Sequence, residues 1–330
     1  MGIRHLNKFL RENSPTGIKV ISLSELFGKK IAVDINIYMH KFASENNLIE
    51  GIYNMLSTFR HYNIIPIFVF DGKPPAEKKA LLLKRHEDRK DAVLEYNNLQ
   101  NILKNNETMN ETEKQDIISQ MILLKRNFVQ IKKNDIDLVK SLITAYGATY
   151  YDAHREADEL CAYLAIKGKV WATLSEDMDM FVYGCPNTIR YLSLLNHNAV
   201  WYDMSSILKN LGITQRQLRE ICILSGTDYN SDNSPNAPNL YDTLKLFKKY
   251  FKETKNTNTN TNKEISFYEW LIEKTDYIQD YDLLLKIYDM FDLSRNHNHL
   301  KPFENIRIAN GSIMKEELHE ILKTDGFFFP

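Results

Sequence analysis

The sequence predicts an α/β fold built around a parallel sheet. Three apolar runs, each ending at an aspartate, are predicted to be its strands: residues 30–34, 64–71 and 170–177. Continuous apolar runs are typical of strands that are buried on both faces of such a sheet. Helix-length segments at residues 48–60 and 135–145 lie between the runs. This alternation of strands and helices is the pattern of an α/β protein.

The residues outside these runs predict further elements. A charged insert at about residues 76–134 has helical spacing and is broken by asparagines near its middle, which predicts a helical hairpin standing off the sheet. Two β-rich segments, 188–194 and 199–203, flank a short turn and predict a β-hairpin. From Asp203 onward the pattern is mostly helical.

We expect two regions in the chain. Residues 1–229 form the sheet-based core with its helical insert, and residues 230–330 form a mostly helical region. The tract at 256–263, rich in Asn and Thr, is a low-complexity loop that is expected to be flexible.

Composition favours an intracellular protein and leaves nucleic-acid binding open. The cysteines Cys161, Cys185 and Cys222 are widely spaced and predict neither a disulfide framework nor a zinc site, which suits a reducing compartment. The longest apolar run is far too short to cross a membrane. A net charge of −1 argues against a nucleic-acid binder, but basic residues concentrate at 73–90 and 245–255.

Acidic residues follow the predicted strands and form two closely spaced pairs. Ligands of parallel sheets bind beyond the carboxyl ends of the strands, where these acids lie. Clustered carboxylates repel one another unless cations neutralise them, and all-oxygen ligation suits Mg²⁺ or Mn²⁺. Two such ions can hydrolyse a phosphodiester. The candidate metal ligands are Asp34, Asp71, Glu156, Asp158, Asp177, Asp179 and Asp228.

Ordinary structural roles compete with this interpretation. A single aspartate after a strand often caps a turn, and Glu156 and Asp158 also suit the N-terminus of a helix. Phosphatases with an aspartyl nucleophile also place acids at strand ends, but they need a second aspartate two residues after the first. That position is Asn36 in this chain.

Five motifs closely resemble successive signatures of the flap endonuclease family, in the same order and with the same spacing. They are the opening Met-Gly-Ile, VFDGKPP at 69–75, READELCA at 155–162, SEDMD at 175–179 and CILSGTDY at 222–229. The resemblance covers residues 1 to about 230 well and the remainder loosely. It implies a PIN-like nuclease core with a helical arch at 76–134, and DNA substrates with a 5′ flap, a nick or a 5′ end. It also implies a role in DNA replication or repair, in the nucleus or wherever DNA is replicated.

The resemblance further implies a role for individual residues. Asp71, Glu156 and Asp158 would serve one Mg²⁺ ion, and Asp177, Asp179 and Asp228 a second, with Mn²⁺ able to substitute. Asp34 would act through bound water, and Asp158 stands where the family commonly has Glu. Lys78 and Arg85 would contact the scissile phosphate, and their spacing places them on one helical face with Arg89. His40 would stack on a base, and Gly2 would let the backbone approach the nucleic acid.

Two parts of the sequence depart from the family pattern. The family's glycine-rich loop, which binds duplex DNA and a monovalent cation, is degenerate: of its residues only Pro238 is kept, and Pro235 and Ala237 stand at the glycines. Duplex binding is therefore expected to depend on lysines of the following helix, namely Lys245, Lys248, Lys249 and Lys252. The aromatic run at 327–329 lacks the spacing of a sliding-clamp box, and the protein is expected to be a monomer.

The residues leave alternatives within and outside this class. A 5′ to 3′ exonuclease or an RNA-directed nuclease could use the same core, and His40 together with the degenerate loop favours these alternatives. A catalytically silent nucleic-acid-binding scaffold is the third possibility, but the complete acidic set argues against it.

Overall fold

The predicted sheet lies at the centre of the molecule and is mixed. The computed structural model describes residues 3–105, 111–230, 238–257, 265–295, 297–324 and 326. In chain order the strands are β1 (Ile18–Ser22), β2 (Lys30–Asp34), β3 (Ile65–Phe70), β4 (Thr149–Asp152), β5 (Ala172–Leu174), β6 (Asn187–Ser193) and β7 (Asn198–Asp203). Their order across the sheet is β1-β7-β6-β5-β2-β3-β4. Five of these seven strands pair in parallel, and the pairs β6–β7 and β1–β7 are antiparallel.

The three acid-bearing strands predicted from sequence are immediate neighbours. Strand β2 pairs in parallel with β3 on one side and with β5 on the other. The parallel region continues from β3 to β4 and from β5 to β6. Because parallel strands end at the same edge, the acids that follow these three strands lie at one edge of the sheet. Only 172–174 of the third run is a strand, and the residues after Leu174 form the turn that carries its acids.

The helices surround this sheet, and several match the predicted segments. The α-helices of the described residues are α1 (Leu6–Asn13), α2 (Ile35–Ser44), α3 (Leu48–His61), α4 (Lys79–Asn105), α5 (Glu111–Phe128), α6 (Lys133–Ala145), α7 (Ala157–Ile166), α8 (Asp179–Tyr183), α9 (Met204–Leu211), α10 (Gln215–Leu224), α11 (Leu240–Thr257), α12 (Phe267–Lys274), α13 (Tyr281–Phe291) and α14 (Lys315–Thr324). Short 3₁₀ helices span Pro15–Gly17, Leu23–Leu26, Ala76–Lys78 and Asn298–Phe303.

The charged insert is the predicted helical hairpin. Helices α4 and α5 pack against each other, with the rings of Tyr96 and Phe128 edge to face at 5.2 Å between centroids. A hydrogen bond of 3.0 Å from Gln120 to Glu95 also joins them. Helix α4 ends at Asn105, as the asparagines predicted, and residues 106–110 lie outside the described ranges.

Apolar side chains of alternate strand residues form two layers, one on each face of the sheet. In β3, Ile67 and Val69 enter a cluster with α1, α7 and the helices from α8 to α13. Phe68 and Phe70 enter the opposite cluster with α2, α3, α6 and α14. This alternation follows from the pleat of a strand, in which successive side chains point to opposite faces. The sheet is therefore buried on both faces, as the continuous apolar runs indicated.

Two further predictions of local structure, the β-hairpin and the helical C-terminal region, are confirmed. Strands β6 and β7 form the predicted antiparallel hairpin, with a β-bulge between Arg190 and Ser193. The chain after Asp203 is helical wherever it forms regular structure in the described residues. Helix α11 continues to Thr257 and so takes in the first two residues of the tract at 256–263, while the rest of that tract lies outside the described ranges.

Two other observations bear on the composition-based expectations. Cys161, Cys185 and Cys222 are all free and buried. Among the helices described, none combines the length and apolar character needed to cross a membrane.

Candidate active site

A pocket of about 730 Å³ lies at the carboxyl edge of the sheet. Its walls bring together nearly all of the predicted acidic residues, although they come from loops far apart in sequence. Asp88, on α4, also lines the pocket and was not predicted. The predicted acids that line it are Asp34, Asp71, Glu156, Asp158, Asp177 and Asp228. The seventh acid, Asp179, is 1% exposed and lies beside Asp158 and Asp177, with ligand oxygens of the three within 4.8 Å of one another.

The loop after β3 is joined tightly to the start of helix α7. Asp71 Oδ1 accepts a hydrogen bond of 2.8 Å from the backbone N–H of Ala157, and the N–H of Gly72 donates to the carbonyl of Arg155 at 2.6 Å. A Cβ at position 72 would lie 2.0 Å from the carbonyl oxygen of Ala153. Only glycine allows this approach, which places Asp71 beside the acids of α7.

The turn after β5 is organised by one serine. The Ser175 hydroxyl donates to Asp34 Oδ2 at 3.3 Å and accepts from the backbone N–H of Asp177 at 3.1 Å. Asp177 Oδ1 in turn accepts from the N–H of Asp179 at 3.0 Å. These bonds connect the acids of two neighbouring strands and orient their carboxylates toward the pocket. Sequence reasoning assigned Ser175 no role, although it lies within the SEDMD motif.

Burial and mutual repulsion disfavour the ionised forms of these carboxyl groups. Burial, with the charges of Asp71 and Asp177, raises the pKa of Asp34 to about 8. Burial and neighbouring carboxylates also raise the pKa values of Asp158 and Asp179 well above their usual range. Such a cluster can hold its full negative charge at neutral pH only beside cations.

The carboxylate oxygens of Asp179 are placed to bind a cation. Both are buried, and neither has a hydrogen-bond partner within the described residues. Buried carboxylate oxygens without a partner are costly, and a hard divalent ion satisfies them. The acidic cluster therefore fits a metal ion. The structure groups Asp158 with Asp177 and Asp179, whereas the resemblance assigned it to the ion held by Asp71 and Glu156.

Metal removal should make stability fall as pH rises. The folded protein retains the Asp34 proton up to about pH 8, whereas an unperturbed aspartate titrates at 3.8. Between these values the folded state binds more protons than the unfolded state, so its stability decreases with pH. We expect the Tm in EDTA to fall from pH 5 to pH 9, and Asp34→Asn to flatten that fall. Thermal unfolding across this range, with EDTA and with Mg²⁺, checks it.

A strand-end aspartate outside the pocket provides the matched control. Asp152, at the end of β4, forms an ion pair of 2.6 Å with Lys140, and Asp152→Asn should leave the pH dependence in EDTA unchanged. The interpretation is wrong if Asp34→Asn and wild type lose stability equally between pH 5 and pH 9.

Two basic side chains at the base of the arch enter the pocket, as predicted. Lys78 Nζ lies 2.6 Å from Glu156 Oε1, and Arg85 donates to Asp228 Oδ2 at 2.8 Å. Burial opposes the charge of Lys78, but Asp158 and Glu156 outweigh it and raise the pKa above its usual range. Lys78 is 6% exposed, so it does not belong to a solvated charged face. It ends the 3₁₀ helix before α4, so Lys78 lies outside the α-helix whose face its spacing predicted it to share with Arg85 and Arg89.

Other residues of the pocket wall include both predicted and unpredicted contacts. His40, on α2, and Arg89, on α4, line the pocket as expected. Burial and the charge of Arg89 lower the pKa of His40, which favours the neutral ring. Tyr229 was not predicted: its hydroxyl donates to Glu156 Oε2 at 2.6 Å, and Lys78 Nζ lies 4.9 Å from its ring centroid. The tyrosine therefore positions both Glu156 and Lys78.

The predicted nucleic-acid contacts outside the pocket are only partly described. Gly2 and the degenerate-loop positions Pro235 and Ala237 lie outside the described residues, as does the aromatic run at 327–329. The four predicted lysines lie on helix α11 and are all exposed: Lys245, Lys248, Lys249 and Lys252. The opposite face of α11 is buried through Phe247 and Tyr250.

Comparison with known proteins agrees with this architecture. The XPG N-terminal domain matches residues 1–92 and the XPG I-region matches residues 147–228, together more than half of the chain. The flap endonuclease 1 of Zea mays is 32% identical over 248 residues, which is 69% of this chain and 62% of that protein. The corresponding protein of Mus musculus is 31% identical over 247 residues, or 69% and 61% of the two chains. The chain thus spans about three fifths of the length of these relatives.

Solved structures share the fold. The catalytic core of Rad2 in a complex with DNA substrate superposes with a TM-score of 0.67 at 20% identity, covering 98% of this chain and 95% of that one. Human GEN1, solved in complex with Holliday junction DNA, gives a TM-score of 0.60 at 17% identity, covering 98% and 73%. At these identities the likeness concerns the fold, which is an α/β nuclease fold of the PIN-like type. With its XPG domains and the sequence identity to flap endonuclease 1 proteins, the chain belongs to the flap endonuclease family.

Proposed function

We propose that this protein is a divalent-metal-dependent, structure-specific nuclease that hydrolyses phosphodiester bonds in DNA with a 5′ flap, a nick or a 5′ end. The observation that carries the proposal is the pocket itself. Seven carboxylates gather at the carboxyl edge of the sheet, and two cationic side chains of the arch face them. An acidic site alone repels nucleic acid, so the adjoining cations are what make it suitable for a phosphate substrate.

We assign the carboxylates to two Mg²⁺ ions, for which Mn²⁺ can substitute. Asp71, Glu156 and Asp158 would hold one ion; Asp177, Asp179 and Asp228 would hold the other. Asp34 would act through bound water. When bound, such ions supply an activated water and neutralise charge on the attacked phosphate. The raised pKa values of Asp34, Asp158 and Asp179 support the assignment, because only cations would keep these groups ionised at neutral pH.

The basic side chains would bind and polarise the scissile phosphate. Lys78 and Arg85 form ion pairs with Glu156 and Asp228. Neutralisation of those carboxylates by cations would release both side chains toward a phosphate oxygen. Their positive charge would then stabilise the charge that develops in the transition state. Tyr229 would keep Glu156 in place through its hydroxyl.

The pocket wall and the arch would position the nucleic acid. The half-buried, neutral ring of His40 supports its proposed stacking on a base next to the cut. Arg89 would bind an adjoining phosphate, and Gly2 would allow the N-terminal backbone to approach the strand. We assign residues 1–229 to the nuclease core and 230–330 to a duplex-binding region, and we expect the protein to act as a monomer.

Duplex binding should depend on the lysines of α11 and be strongly ionic. Each lysine–phosphate contact contributes nearly one unit to the slope of log K against log salt. We expect Lys245→Ala/Lys249→Ala to reduce that slope by up to about two, and exchange of K⁺ for Na⁺ to have little effect. Titration of a duplex-containing substrate across a salt series in each cation measures both.

Two exposed lysines on other helices serve as the control pair. Lys209 lies on α9 and Lys286 on α13, and their joint replacement by alanine removes the same charge. This control should leave the slope near the wild-type value. A marked K⁺ preference, or equal slopes for all three proteins, would show that the duplex is held elsewhere.

A cleavage assay on a panel of substrates tests the proposed function. End-labelled flap, nicked, gapped and single-stranded substrates, made of DNA and of RNA, are incubated with Mg²⁺ or with EDTA. We expect Mg²⁺-dependent cleavage of the DNA flap near its base and no cleavage in EDTA. Release of mononucleotides from 5′ ends would instead identify an exonuclease, and preference for RNA would identify an RNA-directed enzyme. No metal-dependent cleavage of any substrate would reject the proposal.

A further inference from the structure

A second group of metal-ligating side chains lies outside the acidic pocket. Glu159, on helix α7, meets His297 and His299, which belong to the segment before and within the 3₁₀ helix at 298–303. One carboxylate oxygen and one nitrogen of each ring all lie within 4.8 Å of one another. The ordinary explanation of such a group is a buried carboxylate neutralised by a histidine. Distances and hydrogen bonds are therefore compared with those expected of a metal site.

The distances suit a tetrahedral ion. Glu159 Oε1 lies 2.9 Å from His299 Nε2 and 3.9 Å from His297 Nδ1. Around a zinc ion bound at its usual 2.0–2.2 Å, neighbouring ligand atoms are about 3.4 Å apart. If the shorter distance lengthened and the longer one shortened, each by about half an ångström, both would reach that value.

The hydrogen bonding of His297 turns its Nδ1 toward Glu159. His297 Nε2 lies 3.1 Å from the backbone carbonyl oxygen of Asp292, which can only accept, so this nitrogen carries the proton. In the neutral ring, Nδ1 then presents a lone pair, 3.9 Å from the carboxylate oxygen of Glu159. A metal ion between these two atoms would satisfy both, as would a proton on Nδ1, and metal titration distinguishes the two. A carbonyl that fixes the tautomer of a ligating histidine is also the usual outer partner in metal sites.

The surroundings make the group a built site rather than a chance encounter. The Glu159 side chain is 7% exposed, whereas those of His297 and His299 are 14% and 23% exposed, so the carboxylate is buried and both rings reach solvent. A second contact joins the same two elements, because the Tyr163 hydroxyl donates to Glu304 at 3.1 Å. The segment at 297–304 is therefore held on α7 at two points.

We propose that Glu159, His297 and His299 form a binding site for a zinc-class divalent transition metal, distinct from the acidic pocket. Two imidazoles with one carboxylate select Zn²⁺ or Co²⁺ over Mg²⁺, which prefers oxygen ligands. The ion would fix residues 297–299 to the first turn of α7, whose neighbouring residue Asp158 lines the acidic pocket. Its role would be to fasten the C-terminal region to the helix that carries the active-site acids.

Metal titration of the full chain tests the proposal. ZnCl₂ and CoCl₂ are titrated in excess Mg²⁺, which occupies the acidic pocket, into wild type, Glu159→Gln and His297→Gln/His299→Gln. We expect one Zn²⁺ per wild-type chain and a loss of affinity of about 100-fold or more in the double variant, since even outer partners contribute 10–100-fold. Bound Co²⁺ should show the intense visible bands of tetrahedral coordination. Zn²⁺ should also raise the Tm of wild type but not of the variants.

An exposed histidine provides the matched control. His86 lies on the arch helix α4, and His86→Gln should bind Zn²⁺ as wild type does. The proposal is overturned if wild type shows no saturable Zn²⁺ binding in Mg²⁺, or if the double variant binds equally. Should a variant fail to fold, the wild-type Co²⁺ spectrum decides alone: the weak bands of six-coordinate, all-oxygen Co²⁺ would contradict the site. None of these readouts depends on nuclease activity.

Discussion

Replacing Asp179 by alanine or asparagine should abolish cleavage while leaving the fold and DNA affinity nearly intact. Both oxygens of this carboxylate are buried without a partner in the described part of the chain, beside Asp158 and Asp177. Its loss removes a proposed metal ligand, whereas removal of negative charge eases repulsion with phosphate. We expect single-turnover cleavage of a flap substrate to fall by far more than tenfold. Binding is measured separately in Ca²⁺ or EDTA.

Asp152→Asn is the control for a strand-end aspartate without metal. Asp152 ends β4 but pairs with Lys140, and the pocket wall does not include it. This variant should cleave at the wild-type rate. Turnover of Asp179→Ala within about tenfold of wild type would reject the assignment of Asp179 as a ligand, because losing a metal ligand should cost far more.

Replacing Lys78 or Arg85 by alanine should slow the chemical step far more than it weakens binding. Both cations face the acidic pocket, at 2.6 Å from Glu156 and 2.8 Å from Asp228. Preorganised charge at a reacting phosphate stabilises the transition state, and its removal costs about 10²–10³-fold in rate. Single-turnover rates at saturating enzyme, compared with equilibrium binding of the same substrate, separate the two effects.

The neighbouring lysine on the arch provides the comparison. Lys84 precedes Arg85 on α4 but is exposed and absent from the pocket wall, so Lys84→Ala should retain the wild-type rate of cleavage. Similar rates for Lys78→Ala, Lys84→Ala and wild type would mean that the basic run is only a solvated face. Arg85→Lys should cleave faster than Arg85→Ala, because the positive charge remains. It should cleave more slowly than wild type, because lysine lacks the bidentate geometry of the guanidinium.

Much of this site follows from sequence because strand ends converge. The apolar runs ending at Asp34, Asp71 and Asp177 indicated buried parallel strands, and β5, β2 and β3 are neighbours in the sheet. Parallel alignment alone then gathers their acids at one edge. The polar breaks in the charged insert similarly predicted the two helices of the arch. Periodicity and spacing were sufficient to predict a strand or helix whose structure depends mainly on its own residues.

Contacts between segments distant in sequence could not be predicted from periodicity and spacing. Tyr229 bonds to Glu156 across 73 residues of sequence, and His299 to Glu159 across 140. The residues next to Tyr229 and His299 in sequence do not identify the distant carboxylate that each contacts. The 3₁₀ conformation that ends at Lys78 was also missed, because helical spacing does not distinguish it from the start of an α-helix.

The dependence of cleavage on Mg²⁺ concentration tests the central claim most directly. Single-turnover cleavage of a 5′-flap substrate is measured from EDTA through millimolar Mg²⁺ at constant ionic strength. If the acidic pocket works with two ions, the rate is zero in EDTA and rises with about the second power of Mg²⁺ concentration before saturating. A rate that persists in EDTA would contradict a metal-dependent nuclease, and a strictly first-power dependence would contradict the use of two ions.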